Sequence, residues 1–128
     1  MELHESAEDY LEKVLMLKEK LGAVRSIDIV NMLGYSKPSI SIAMKHLRES
    51  GYIIMDKNNY IILTEPGLKI ATRIYTRHRT LTQFLTSLGV KKTVAEKDAC
   101  KMEHDISDET FKKIQSYLKN NSSVSEMR

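Results

Sequence analysis

The helical spacing of apolar residues in this chain breaks in one place, and that break limits what the chain can fold into. Up to Glu49 the apolar residues recur every three or four positions, as on one face of a helix. From Tyr52 onward they come instead in two β-branched runs, Tyr52-Ile53-Ile54-Met55 and Tyr60-Ile61-Ile62-Leu63. The polar stretch Asp56-Lys57-Asn58-Asn59 lies between them. Short runs of that kind around a polar turn predict a β-hairpin, here with a loop longer than two residues. Helical spacing resumes after Thr64.

The elements around the hairpin give it a meaning. Leu11, Val14, Leu15 and Leu17 predict a first helix from Ser6 to about Lys20, with Ser6 as N-cap and Glu8 and Asp9 in the first turn. Ser26 to Leu33 predicts a short amphipathic helix capped by Ser26 and stopped at Gly34-Tyr35. The next helix opens near Ser36 with Pro38 in its first turn, carries Ile40, Ala43, Met44 and Leu47 on one face, and ends at Ser50-Gly51. Two short helices joined by a tight glycine-bearing turn form a helix-turn-helix, and a hairpin directly behind it is a wing. After the hairpin, Thr64 and Pro66 open a long helix whose apolar residues run from Leu68 to Leu88 and stop at Gly89. Thr93 and Glu96 match a capping box for a helix reaching about Ile106, and Ser107-Asp108-Glu109 caps a last helix through Leu118. The division expected is residues 1–65 for the winged helix-turn-helix, 66–120 for a helical domain, and 121–128 for a flexible polar tail.

Composition narrows the class. With 41% apolar and 29% charged residues over 128 positions the chain has an ordinary globular balance. A net charge of +3 permits nucleic acid as partner without demanding it. The opening MELHESAEDY is acidic and has no apolar signal core, and no apolar stretch is long enough for a membrane. The single Cys100 cannot form an internal disulfide, so the expected setting is cytoplasmic, with no membrane partner.

A recognition helix needs an apolar back and a small, polar or basic front that enters the major groove. The helix from Ser36 presents Ser36, Lys37, Ser39, Ser41 and Lys45, with Pro38 placed to touch a thymine methyl. Lys57 in the hairpin turn suits a phosphate contact. The plainer reading is a solvated face on a winged helix that binds protein. No arginine stands on this front, so bidentate guanine readout is not evident.

Potential metal donors fall in two groups. Asp9 and Glu12 share a face of the first helix, while Cys100, Glu103 and His104 stand at i, i+3 and i+4. Thiolate, carboxylate and imidazole within one helical turn are the donors transition metals take, and His78 adds a further imidazole. Each piece alone has a bland account. An acidic pair near a helix start serves the helix dipole, a lone histidine is usually incidental, and a helical cysteine is usually small core filler.

Together the residues resemble a known family, the iron- and manganese-dependent repressors related to the diphtheria toxin repressor, and most of all its short manganese transport regulators. The markers are Glu8-Asp9-Tyr10-Leu11-Glu12, Tyr35-Ser-Lys-Pro-Ser-Ile-Ser, Leu63-Thr64 before Gly67, Arg77-His78-Arg79 before Phe84-Leu85, and Ala99-Cys100 before Glu103-His104. The resemblance runs from about Ser6 to Leu118, nearly the whole chain. The resemblance implies a mainly α fold: a winged helix-turn-helix DNA-binding domain followed by an all-helical metal-binding and dimerisation domain, with metal bound where the two meet. It implies Asp9, Glu12, His78, Cys100, Glu103 and His104 as ligands, a homodimer, a palindromic double-stranded operator, and repression switched on by Mn²⁺ or Fe²⁺. Co²⁺ or Zn²⁺ would also be accepted in vitro.

The ligand set is a hybrid. Asp9 matches the manganese regulators, whereas Cys100 stands where they usually carry a carboxylate and the iron-type repressors a cysteine. Thr82 and Glu96 replace usual ligands of the iron-type ancillary site, and the chain ends before any SH3-like domain. Two rivals stay open on the sequence. One is a metal-independent winged-helix regulator sensing a small molecule or an oxidant through Cys100. The other is an enzyme using the Cys-Glu-His group, for which neither a glycine-rich oxyanion loop nor an HExxH motif is present.

Overall fold

The structure is a computed structural model that describes the backbone of residues 5–126 and the side chains of residues 6–121. In order the elements are α1 (Glu5–Leu21), α2 (Ser26–Leu33), α3 (Lys37–Glu49), β1 (Ile53–Met55), β2 (Ile61–Leu63), α4 (Glu65–Ser87), α5 (Lys92–Met102) and α6 (Asp108–Glu126). The chain divides into two compact units, and the division falls inside α4, between Tyr75 and Thr76. That is later than the 65/66 boundary read from the sequence. The first turns of α4 place Ala71 and Ile70 in the core of the first unit.

That core is built by the residues whose spacing announced the helices. Leu11, Val14 and Leu17 of α1 meet Ile29 of α2, Ile40, Met44 and Leu47 of α3, and Ile53 and Ile61 of the hairpin. Burying each such side chain contributes roughly 1.5–3 kcal/mol. Gly34 ends α2 at φ 74°, a left-handed position that glycine adopts without strain, and its N–H donates to the Val30 carbonyl. Ser36 then caps α3 by accepting from the Ser39 N–H. The antiparallel strands pair Ile53 with Leu63, Ile54 with Ile62 and Met55 with Ile61. Ile53 and Ile61 point into the core, while Ile54 and Ile62 face outward. In the turn, Asp56 Oδ1 accepts from the N–H groups of Asn58 and Tyr60, which fixes Asn59 at φ 65°.

One joint couples the hairpin to α4. The Thr64 N–H donates to the Tyr52 carbonyl at 3.0 Å, and its hydroxyl donates to the Gly51 carbonyl at 2.6 Å. The same hydroxyl accepts from the Gly67 N–H, so Thr64 caps α4 as its sequence position predicts. Gly67 lies so close to Tyr52 that a β-carbon there would stand 2.0 Å from the Tyr52 carbonyl oxygen.

The second unit holds the remainder of α4 with α5 and α6. Leu81, Ala95, Ala99, Phe111 and Leu118 are its buried apolar residues, and Ser107 caps α6 by accepting from the Thr110 N–H. Several local expectations are corrected. Ser6 lies inside α1 and Ser26 is the first residue of α2, whose N-cap is Arg25, with its N–H donating to Asp28 Oδ2. The Thr93–Glu96 capping box does not form, because α5 begins at Lys92 behind Lys91 and lacks a side-chain cap. α5 stops at Met102, short of Ile106, and α6 continues past Leu118 to Glu126. Of the expected tail at residues 121–128, the side chains from 122 and the backbone of the last two residues lie outside the described residues.

Gly67→Ala is expected to destabilise the first unit by at least the roughly 1–3 kcal/mol typical of overpacking, since the clash is with backbone and no side chain can swing away. Denaturant titration of the variant checks this. An unchanged midpoint would mean that the Tyr52–Gly67 contact is not as tight as described.

Candidate metal centre and DNA-facing surface

Four of the six donor candidates lie in the second unit. His78 projects from α4, Cys100 from the last turn of α5, and Glu103 from its C-cap, with His104 following. Ligating atoms of His78, Cys100 and Glu103 all lie within 4.8 Å of one another. His78 Nδ1 is 3.0 Å from Glu103 Oε2 and 3.7 Å from Cys100 Sγ. His104 Nε2 lies 3.4 Å from Glu103 Oε1, and both side chains are buried. The helix that carries Cys100 ends at Met102, but Glu103 keeps right-handed helical torsions, so the i, i+3 relation to Cys100 survives.

A buried carboxylate beside imidazole and sulfur sets the charge state of the group. The hydrogen bond with Cys100, and after it the one with Glu103, push the His78 pKa up from 6.5 to about 10, against the opposing effect of burial. His78 is therefore protonated at neutral pH, with Nδ1–H directed at both partners. An imidazole nitrogen, a sulfur and a carboxylate oxygen so close together form a donor set that fits a divalent transition metal.

Arg77 holds this group in place. It is buried, with Nη1 donating to the carbonyls of Glu103 at 3.1 Å and Ile106 at 2.9 Å. Its other nitrogen pairs with the Asp108 carboxylate, and the guanidinium lies over the Phe111 ring. In the sequence Arg77 stands out only as part of the Arg77-His78-Arg79 marker, with no role of its own. A signal was present, since Arg77 falls in the apolar stripe of α4 between Ile74 and Leu81. Thr82 offers a buried hydroxyl with no hydrogen-bond partner among the described residues, and Glu96 is exposed, outside the donor group.

In the first unit Asp9 and Glu12 lie on α1 at i, i+3 as expected. Asp9 is partly exposed and Glu12 fully buried. Both are ion-paired to Lys13, whose ammonium is 3.4 Å from Asp9 Oδ1 and 3.1 Å from Glu12 Oε1. The sequence reading passed over this lysine.

The DNA-facing candidates are all on the surface of the first unit. Ser36, Lys37, Pro38, Ser39, Ser41 and Lys45 are exposed at the start and along one side of α3, and Lys57 is exposed in the hairpin turn. The Ser36 and Ser39 hydroxyls are bonded to each other at 2.9 Å. Ile42 is 59% exposed on the same helix, and His46 and Arg48 are exposed near its end. Arg25, also exposed, stacks its guanidinium 4.3 Å above the Tyr60 ring beside the hairpin. Neither Ile42 nor Arg25 was singled out from the sequence.

Comparison with known proteins decides the kinship. Residues 2–60 match the family model described as iron dependent repressor, N-terminal DNA binding domain. Residues 64–123 match the one described as iron dependent repressor, metal binding and dimerisation domain. The chain belongs to the iron-dependent repressor family. It is similar to an HTH-type transcriptional regulator of Methanocaldococcus jannaschii, at 30% identity over 118 residues, covering 91% of this chain and 94% of the relative. It is likewise similar to the transcriptional regulator MntR of Escherichia coli, at 36% identity over 107 residues, covering 84% and 69%. A solved manganese-dependent transcriptional repressor in complex with manganese superimposes with a TM-score of 0.78 at 28% identity over 88% of this chain. This chain covers 52% of that longer one. As a member of this family the chain is a metal-dependent DNA-binding transcriptional regulator that forms homodimers, and it is not an enzyme. No helix among the described residues is long and apolar enough to cross a membrane.

The raised His78 pKa gives metal-free stability a definite pH dependence. A group whose folded pKa lies above its unfolded value contributes fully below about 6.5, and the contribution is lost as pH rises through about 10. Calorimetry on chelated protein should therefore show the melting temperature falling across that window, with a flatter profile for His78→Gln. Equal slopes for both proteins would refute the assignment.

Proposed function

We propose that the chain is a cytoplasmic repressor of metal-homeostasis genes that senses Mn²⁺ or Fe²⁺ through Asp9, Glu12, His78, Cys100, Glu103 and His104. The observation carrying this reading is the convergence of imidazole, sulfur and carboxylate donors in the second unit. The relative named MntR and the manganese-bound repressor support manganese as the signal. The sulfur of Cys100 pulls the other way, toward Fe²⁺, Co²⁺ or Zn²⁺, while the carboxylates favour Mn²⁺. Membership in a metal-binding family speaks against a metal-independent sensor built on Cys100 alone.

When bound, a divalent ion supplies the positive charge that the His78 proton supplies in its absence. His78 gives up that proton to become a ligand, and Cys100 does the same if it ligates as thiolate, so affinity rises with pH. Glu103 and His104 keep their places because Arg77 fixes the backbone at Glu103. On the DNA side, the α3 front of Ser36, Lys37, Pro38, Ser39, Ser41 and Lys45 enters the major groove and Lys57 meets phosphate. The two copies in a dimer read a palindromic operator. For the second copy the best-suited surface is the apolar face of Phe84, Leu88, Ile114 and Tyr117. Leu88 is 60% and Tyr117 51% exposed there, within the region matched to the dimerisation domain.

Two measurements test the reading. Chelated protein is titrated with Mn²⁺, anaerobic Fe²⁺, Co²⁺ and Zn²⁺ while binding to its own promoter DNA is followed at fixed salt. At least one ion is expected to tighten specific binding tenfold or more, and Glu103→Ala or His104→Ala to abolish the gain. DNA affinity that is the same with chelator present would end the metal-switch reading. For the dimer face, Leu88→Glu combined with Tyr117→Glu should convert dimer to monomer in sedimentation, and a dimer that persists would exclude that surface.

A further inference from the structure

The first helix carries a cation of its own where its acidic candidate ligands lie. Glu12 has no exposed surface, and a carboxylate so buried needs a counter-charge. Lys13 provides one, with its side chain 10% exposed and its ammonium within 3.4 Å of carboxylate oxygens from both Glu12 and Asp9. Its stem cannot reach them from open solvent, as a surface lysine would, because the residue itself is buried. A long, flexible side chain ending in a compact, strongly hydrated charge is well suited to leave such a place for water.

We propose that Lys13 is a resident competitor of the metal. In the metal-free protein its ammonium neutralises Asp9 and Glu12. When a divalent ion takes those oxygens, like-charge repulsion drives the ammonium out to solvent. Metal binding at this helix is thus an exchange of one cation for another, and Lys13 raises the metal concentration at which the protein responds. The inference rests on the reading of Asp9 and Glu12 as ligands. It adds a residue that is not a ligand but sets the affinity of those that are.

The test measures metal affinity directly, by competition with a chelator of known affinity, using Mn²⁺ and Co²⁺ and the full chain without DNA. Lys13→Gln, which removes the charge, should bind both ions tenfold or more tighter than the parent, while melting at lower temperature when metal-free. Lys13→Arg, which keeps the charge, should show no such gain. Affinity in Lys13→Gln that is equal to or weaker than the parent overturns the proposal. If that variant does not fold without metal, the parent protein still decides the matter. Amine methylation read by mass spectrometry should find Lys13 protected in chelated protein and reactive once Mn²⁺ saturates it, and equal protection in both states overturns the exchange. Asp9→Asn and Glu12→Gln separate the two readings. If neither weakens metal binding, the ligand assignment of the first helix fails and the exchange with it. If they weaken binding while Lys13→Gln gains nothing, the exchange alone fails.

Discussion

The buried guanidinium of Arg77 organises the second unit. An ion removed from water costs several kcal/mol unless its hydrogen-bonding capacity is met, and here two backbone carbonyls, a carboxylate and an aromatic face meet it. The partners matter as much as the charge. Glu103 ends α5, Ile106 lies in the connection and Asp108 begins α6, so one side chain on α4 fixes where both other helices stop and start. Without it, the carbonyls of Glu103 and Ile106 would lose a charged donor, at about 1–3 kcal/mol for each acceptor left buried and unsatisfied. The donor group is a consequence of this arrangement. Glu103 can face His78 because Arg77 holds its backbone, and Cys100 comes with it through the helical repeat.

In the first unit the corresponding constraint is a close backbone contact at Tyr52. Tyr52, leaving α3 for the hairpin, offers its carbonyl to the Thr64 N–H, and Gly67 allows α4 to pass over that same carbonyl. Strand entry, strand exit and the start of α4 are thereby locked within a few residues. The wing keeps its place against α3 because of this joint and because the Ile61 N–H donates to the Val24 carbonyl at 2.7 Å, in the segment ahead of α2. The exposed front of α3 and the turn bearing Lys57 are thus fixed to one small core.

What could be read from the sequence was whatever repeats along it. Helical spacing, the interruption between Tyr52 and Leu63, the helix start near Ser36 and the caps made by Thr64 and Ser107 are local patterns, and they hold in the structure. Cys100, Glu103 and His104 were legible for the same reason, being one turn apart. His78 is different, because only packing of α4 against the end of α5 brings it to that turn, and no spacing rule encodes such a meeting. Thr93 and Ser26 failed as caps since helix starts compete over one or two positions, and the pattern marks a neighbourhood, not a residue. Arg77 and Lys13 were missed for a shared reason. Sequence rules assign charges to the surface. Arg77 is instead buried by partners that come into reach only on folding. Lys13 forms with Asp9 an i, i+4 pair that such rules read as solvated, although folding buries it.

Lys13 in the first unit and the protonated His78 in the second show how acidic side chains that are candidate metal ligands can be accommodated in a fold without metal. Clustered carboxylates repel one another, and left bare in a low-dielectric interior they would either take up protons or open the fold. Here each acidic candidate has a cationic partner from the chain itself. Glu103 faces the imidazolium of His78, and Asp9 and Glu12 face the ammonium of Lys13. The metal-free state is then a folded, charge-balanced alternative to the loaded one. A sensor gains from that balance, since its affinity is set by the difference between two occupied states and not by the full attraction of the donors for a cation. On the proposed ligand set, such a difference would be tuned by single substitutions at Lys13 or Cys100.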